Sequence, residues 1–136
     1  MIKGSTEKHQ QLVQKFKLYV QHFIPGIRVF DRVTGQFFTR NGKPVRTGIP
    51  GQADLYALYP TKHGMLHLEF EIKTGQARQS PKQKAWQNFI ESNNGLYLII
   101  RENFHNEINQ IKEYLNEDEN RSTNLTVHDH ELYGGC

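Results

Sequence analysis

The sequence has few of the features that cross-link a protein or anchor it to a membrane. Its single cysteine, Cys136, excludes an internal disulfide and a cysteine-rich zinc site. No apolar run approaches the roughly 18–20 residues that span a bilayer, and the opening segment MIKGSTEKHQQ lacks an apolar signal sequence. We therefore expect a cytoplasmic protein without a membrane segment. Its 136 residues suit one domain and contain no internal repeat.

The net charge is small, but the charged residues are unevenly distributed. Residues 1–50 hold nine Lys/Arg and two acidic residues, whereas residues 102–136 hold two Lys/Arg and eight acidic residues. A basic first half suits a polyanion such as nucleic acid, because phosphate contacts supply most non-specific affinity. The alternative interpretation is a set of charged faces that only maintain solubility. The acidic end either covers a basic surface or is simply solvated.

Hydrophobic spacing predicts the order helix, three strands, helix, strand, helix. The helices are expected over 5–23, 80–94 and 103–116, and the strands over 27–33, 53–59, 65–73 and 96–100. The apolar run LYLII of the last strand is typical of a buried central strand. Residues 40–51 are expected to form a Gly/Pro/basic loop.

This order predicts the α/β class, a sandwich with a mixed central sheet of about four strands flanked by helices. We expect one domain over 1–116 and a polar, acidic tail over 117–136.

The segment from Glu69 to Lys73 carries the first chemical signal. Alternate residues of a strand share a face, so Glu69, Glu71 and Lys73 point the same way, and Glu71 and Lys73 lie roughly 6.5–7 Å apart. A carboxylate can hold a hard cation, and a lysine can orient a water or neutralise charge on a phosphate. By itself the Glu-x-Lys pattern is more often a solvent-facing ion pair.

Asp54 adds a second carboxylate at the start of the preceding strand. If the two strands pair around the turn near His63-Gly64, Asp54 lies opposite residues 70–73. Two adjacent carboxylates repel each other unless a cation lies between them, which favours a metal site. A turn-capping aspartate is the alternative interpretation.

Gln83 shares a helix face with Trp86 and Ile90, and therefore points toward the sheet. It is either a buried, hydrogen-bonded glutamine or a group that reaches the metal site. Lys82 and Lys84 flank it and point outward, where phosphates could meet them.

Basic and histidine residues elsewhere carry weaker signals. Arg40, Lys43 and Arg46 surround the loop that leads to Asp54, and we interpret them as DNA contacts. His9 lies on the apolar face of the first helix, so we interpret it as a packed or partner-facing histidine. The segment 128–130, His-Asp-His, is interpreted as solvated tail rather than as a metal site.

Three segments resemble the VRR-NUC branch of the PD-(D/E)xK nucleases: GIPGQADL over 48–55, EIKTG over 71–75 and RQSPKQKAW over 78–86. The S-P-x-Q-x-x-W pattern after E-x-K-x-G is the specific part of the resemblance. One departure is Ala53, which stands where the family usually has proline before the metal-binding aspartate.

The resemblance implies a restriction-endonuclease-like fold and a Mg²⁺- or Mn²⁺-dependent endonuclease. Asp54 and Glu71 would hold the cation with the backbone carbonyl of Ile72, and Lys73 would position or activate the attacking water. Gln83 would support the site, and Glu7 matches the family's glutamate in the first helix.

Stand-alone members of this size act as homodimers on branched DNA, including four-way (Holliday) junctions, and are common in phages. The resemblance therefore implies a homodimer in a bacterial or phage-infected cell. Three alternatives remain open: a nuclease acting on flaps, duplex ends or specific sequences, a non-catalytic DNA-binding protein with this fold, and a structural or inhibitory partner that uses the acidic tail.

Overall fold

The computed structural model describes residues 2–33 and 35–117. The final helix, α3, covers 105–117. The elements before it are α1 (Ile2–Phe23), β1 (Arg28–Asp31), β2 (Gly35–Phe38), β3 (Pro44–Thr47), β4 (Leu55–Thr61), β5 (Gly64–Ile72), α2 (Pro81–Ser92) and β6 (Leu96–Ile100). Nearly all of the predicted tail, with Cys136 and the segment 128–130, lies outside the described residues. None of the described helices is long and apolar enough to cross a membrane.

The main sheet has four strands in the order β1-β4-β5-β6. The pairs β1–β4 and β4–β5 are antiparallel, whereas β5 and β6 are parallel, which confirms the expected mixed sheet flanked by helices. The prediction that 96–100 is a central strand was wrong, because β6 lies at the edge of this sheet. Its apolar sequence has another cause: Tyr97 packs with Ile90 of α2 on one face, and Ile100 joins the core on the other.

The loop that was predicted over 40–51 contains one strand, β3, which pairs with β2 in a separate hairpin; residues 40–43 and 48–51 lie outside strands as expected. The Asn41-Gly42 turn links these strands, with Gly42 at φ +80° and the Thr39 N–H donating to the Lys43 carbonyl. Asn-Gly is a strong hairpin signal, but the flanking strands are only four residues long, too short for a clear alternating pattern. Register pairs Phe38 with Pro44.

The two faces of β5 contact different parts of the molecule. Leu68, Phe70 and Ile72 enter the main apolar core, where the ring of Phe16 from α1 contacts those of Phe70 and Phe104 edge-on. The opposite face carries His67, Glu69 and Glu71 beneath α2, whose Trp86 and Gln83 contact the two glutamates. Strand alternation thus separates an apolar core from a buried polar stripe.

Candidate active site

Strand pairing brings Asp54 and Glu71 together. Leu55 pairs with Phe70, so the next position along each strand sets Asp54 opposite Glu71, within the predicted register. Asp54 Oδ2 accepts a hydrogen bond from the backbone N–H of Ile72 at 2.8 Å. The aspartate is therefore attached to the end of β5 and not only to its own turn.

The loop before Asp54 packs tightly against the first turn of α2. Gly51 has φ +92°, and a Cβ atom at this position would lie 2.5 Å from the carbonyl oxygen of Lys82. Only glycine permits this approach without a shift of the backbone. The contact joins the strand that carries Asp54 to the helix that carries Gln83.

Gln83 connects the cap of α2 to the buried carboxylate. Its Oε1 accepts a hydrogen bond from the Ser80 N–H at 2.8 Å, while its own N–H donates to Ser80 Oγ at 3.2 Å, which forms a capping box. Its Nε2 donates to Glu71 Oε1 at 2.6 Å. The two interpretations of Gln83 are thus compatible: it is hydrogen-bonded, and it reaches the candidate site.

Glu71 is only 3% exposed, and its Oε2 atom has no hydrogen-bond partner among the described residues. Burial raises the pKa of this carboxyl to about 8; the charge of Asp54 and a side-chain hydrogen bond to Asp54 add to the rise, while Lys73 opposes it. Below this pKa the protonated carboxyl of Glu71 donates to Asp54, so the unpaired oxygen belongs to the ionised form. A buried, unpaired carboxylate oxygen is uncommon because it loses its hydration without compensation. A cation between Glu71 and Asp54 would satisfy this oxygen and remove the repulsion.

The residues present fit a hard cation such as Mg²⁺ or Mn²⁺. Asp54 and Glu71 offer carboxylate oxygens, the ligands that these ions prefer. Within residues 2–33 and 35–117, no group of three His, Cys, Asp or Glu side chains forms a ligand cluster. Water and backbone oxygen would therefore complete the coordination, as is common for Mg²⁺. Lys73 follows directly on the strand and is partly exposed.

The first helix presents His9, and not Glu7, to Asp54. His9 Nε2 lies 3.5 Å from Asp54 Oδ2, with both side chains about one-third exposed, whereas Glu7 is exposed on the preceding turn. His9, which we interpreted as a packed or partner-facing histidine rather than as a ligand, is half-buried and packs against Asp54. His9 lies seven residues before the buried Phe16, on the same face of α1. This shared helix face was the signal in the sequence that His9 points toward the site.

A second buried glutamate, Glu69, is fully paired. Arg32 donates to both of its oxygens, at 2.5 and 2.8 Å, Trp86 Nε1 donates to Oε1 at 2.8 Å, and the His67 ring contacts Oε2. Burial acts to raise the pKa of Glu69, but the hydrogen bonds from Arg32, His67 and Trp86 outweigh it, and the pKa lies below its usual value. The sequence interpretation placed Glu69 on this face but missed Arg32.

The basic residues interpreted as DNA contacts lie on two surfaces. Arg40 and Lys43 are exposed in the β2–β3 turn, and Arg46 belongs to β3, where its backbone pairs with Gln36. Lys82 and Lys84 are exposed on the first turn of α2. Their ammonium groups border the same helix start that holds Gln83.

The chain matches no family model, and no curated protein or solved structure matches it either.

Proposed function

We propose that this protein is a metal-dependent endonuclease that hydrolyses phosphodiester bonds in DNA. The observation that carries the proposal is the buried Glu71 carboxyl beside Asp54, whose Oε2 lacks a partner within the described part of the chain. A protein without a cation would gain stability from a neutral residue here. Perturbed, desolvated acids of this kind are typical of functional sites.

Each side chain of the candidate site has a separate role in this hydrolysis. Asp54 and Glu71 would hold the ion, and Gln83 fixes the orientation of Glu71 through its hydrogen bond. A bound Mg²⁺ or Mn²⁺ would polarise the scissile phosphate and lower the pKa of a bound water. Lys73, the next residue on this face, orients the attacking water and neutralises charge that develops on the phosphate.

The preference for branched DNA rests on the resemblance to the VRR-NUC nucleases. A four-way junction is nearly two-fold symmetric, so a homodimer with two active sites can make paired nicks in it. Exposed lysine and arginine residues on α2 and in the β2–β3 turn would contact the DNA phosphates. Binding should therefore weaken steeply with salt.

The test is cleavage of labelled four-way junction, flap and linear duplex DNA with Mg²⁺ or Mn²⁺. We expect Lys73→Ala to lower the rate roughly 10²- to 10³-fold, the usual effect of removing one group that stabilises transition-state charge. Lys62→Ala is the matched control, because Lys62 is an exposed lysine in the turn at the far end of the same hairpin.

The outcomes separate the alternatives. Symmetric nicks in the junction, absent without metal and in Lys73→Ala, support a dimeric junction nuclease. Metal-dependent cleavage of flap or linear DNA alone retains the nuclease and removes the junction preference. If the wild type binds all three DNAs and cuts none, the non-catalytic DNA-binding alternative replaces the proposal.

A further inference from the structure

Helix α2 leaves part of its face of the sheet open, and aromatic rings occupy that part. Phe30 on β1 stacks on Tyr56 of β4 with ring centroids 5.1 Å apart and an interplanar angle of 21°. Tyr56 stacks in turn on His67 of β5, at 6.0 Å and 11°. Three adjacent strands thus present a nearly parallel row of rings, and Phe30 at its end is 40% exposed.

A cavity of about 330 Å³ lies beside this row, between the sheet and α2. Trp86 and Phe89 form its helical wall, with centroids 5.3 Å apart, and Phe89 is 57% exposed. His67 belongs both to the cavity and to the row. We call the surface formed by Phe30, Tyr56, His67, Trp86 and Phe89 the aromatic trough.

The floor of the trough offers aromatic surface and not free charge. The guanidinium of Arg32 lies 4.8 Å from the Tyr56 centroid and 5.7 Å from that of Trp86, but the buried Glu69 neutralises it. The oxygens of Glu69 are occupied by Arg32, Trp86 and His67. Among the described residues that form this floor, a phosphate therefore finds no unpaired cation. A flat, uncharged ring finds stacking partners in the exposed rings of Phe30 and Phe89 at the two sides of the trough.

The trough is continuous with the candidate active site. Glu69 and Glu71 are two residues apart on β5, roughly 6.5–7 Å along the strand. Gln83, which contacts Glu71, and Trp86, which contacts Glu69, are one helical turn apart on α2. A strand of nucleic acid whose phosphate lies at Glu71 has its neighbouring base within reach of the trough.

We propose that the aromatic trough binds unpaired nucleobases by stacking, next to the phosphate that is cut; this inference rests on the proposed nuclease function. A paired base inside a duplex has its faces covered, so only an unpaired or extruded base can use these rings. The trough thereby favours DNA that has a single-stranded segment beside the cleavage point, as at a flap, or a base extruded at the branch point of a four-way junction.

The experiment measures binding without cleavage. The full-length Lys73→Ala protein, in EDTA, is titrated with a labelled single-stranded oligonucleotide and with a blunt duplex of the same sequence. Phe30→Ala and Phe89→Ala are added to this background, with Phe30→Tyr as the conservative variant that retains a ring. Phe23→Ala is the matched control, because Phe23 is 47% exposed on α1, outside the trough. Trp86, the single tryptophan, reports stacking through fluorescence quenching.

We expect Phe30→Ala and Phe89→Ala each to weaken single-strand binding by roughly 5- to 150-fold, the effect of losing one stacked base. Duplex binding should stay within error and both alanine variants should remain folded at the assay temperature, although the loss of ring packing lowers their unfolding temperature. Phe30→Tyr should restore affinity, and Phe23→Ala should leave single-strand binding unchanged. Quenching of Trp86 should follow the single strand and not the duplex.

Three results would overturn the inference: unchanged single-strand affinity in both alanine variants, equal losses for single strand and duplex, or a dimer that Phe30→Ala converts to monomer, since a second copy then covers the trough. Failure of the nuclease proposal gives a different result. If the wild type never cuts DNA but its single-strand binding depends on Phe30 and Phe89, the nuclease proposal is wrong and the base-binding role of the trough still holds.

Discussion

Replacing Glu71 by glutamine is expected to stabilise the metal-free protein and to abolish its stabilisation by divalent cations. In the folded chain the Glu71 carboxyl has a pKa of about 8, compared with an ordinary value of 4.5. Because the folded-state value is the higher one, the carboxyl costs nothing below about pH 4.5 and destabilises the fold progressively as the pH rises toward 8. A glutamine carries no such penalty.

The magnitude follows from the pKa values. At pH 7 the Glu71 carboxyl is ionised in the unfolded chain and protonated in the folded chain, so folding takes up a proton. The pH is then 2.5 units above the ordinary pKa of 4.5. That uptake costs about 3 kcal/mol, at roughly 1.4 kcal/mol per unit. Glu71 is almost fully buried, so solvent screening reduces this value little. Part of the gain is offset if the new amide N–H is imperfectly paired, although Asp54 can accept from this amide as it accepts from the protonated Glu71 carboxyl.

The net expectation is a gain of about 1–3 kcal/mol, or roughly 3–10 °C in unfolding temperature. Urea and thermal unfolding in EDTA at pH 5, 7 and 8 would measure it, with the difference between the two proteins growing as the pH rises. Saturating Mg²⁺ or Mn²⁺ should then stabilise the wild type by about 2.7 kcal/mol at a hundred times the Kd, and should leave Glu71→Gln unchanged.

Glu69→Gln is the matched control, because Glu69 is also a buried glutamate on the same face of β5. Its partner Arg32 would lose an ionised acceptor, so this variant should be destabilised by about 3–5 kcal/mol with or without metal. A Glu71→Gln protein that is less stable than the wild type in EDTA, or equally stabilised by Mg²⁺, would refute the reasoning about the cation.

Further predictions concern the loop, the first helix and the basic turn. Gly51→Ala should destabilise the fold by about 1–3 kcal/mol in urea unfolding, since the new Cβ meets a backbone carbonyl of α2. His9→Ala should lower the Mn²⁺ affinity or the cleavage rate roughly tenfold or more, as happens when a residue that positions a metal ligand is removed. If Glu7→Gln has a larger effect than His9→Ala, Glu7 and not His9 is the residue of α1 that supports the site. A double Arg40→Ala, Lys43→Ala variant should reduce the salt dependence of DNA binding by about 0.9 in log–log slope for each phosphate that the turn no longer neutralises, and an unchanged slope would remove this turn from the DNA interface.

Local sequence signals predicted the elements that depend on local chemistry. The helix that was predicted to start at residue 80 does so: Ser80 is its N-cap, Pro81 is its first residue, and Ser80 forms a capping box with Gln83. Alternation placed Glu69 and Glu71 on one face of β5. The pairing of two strands across a short turn then required Asp54 to lie beside Glu71, because antiparallel register follows from the position of the turn.

Other features depend on neighbours distant in the chain. Arg32 and Glu69 are 37 residues apart, and only the assembled sheet brings the guanidinium over the buried carboxylate. An apolar pentapeptide such as LYLII indicates burial on both faces but not its place in the strand order, which depends on the partners of β6. The β2–β3 strands were missed because four residues are too few to show a period.

The sequence by itself thus determined the α/β class, the carboxylate–lysine motif and the helix start that supports it, since each depends on spacing within a few residues or across one hairpin. Tertiary structure alone decided that His9 contacts Asp54, that Glu69 is neutralised while Glu71 keeps an oxygen unpaired by any described residue, and that an aromatic trough adjoins them. The physical reason is that the burial and charge pairing of a side chain depend on which residues pack around it in the folded chain. Two glutamates two residues apart on one strand face therefore differ in ionisation only after the chain has folded.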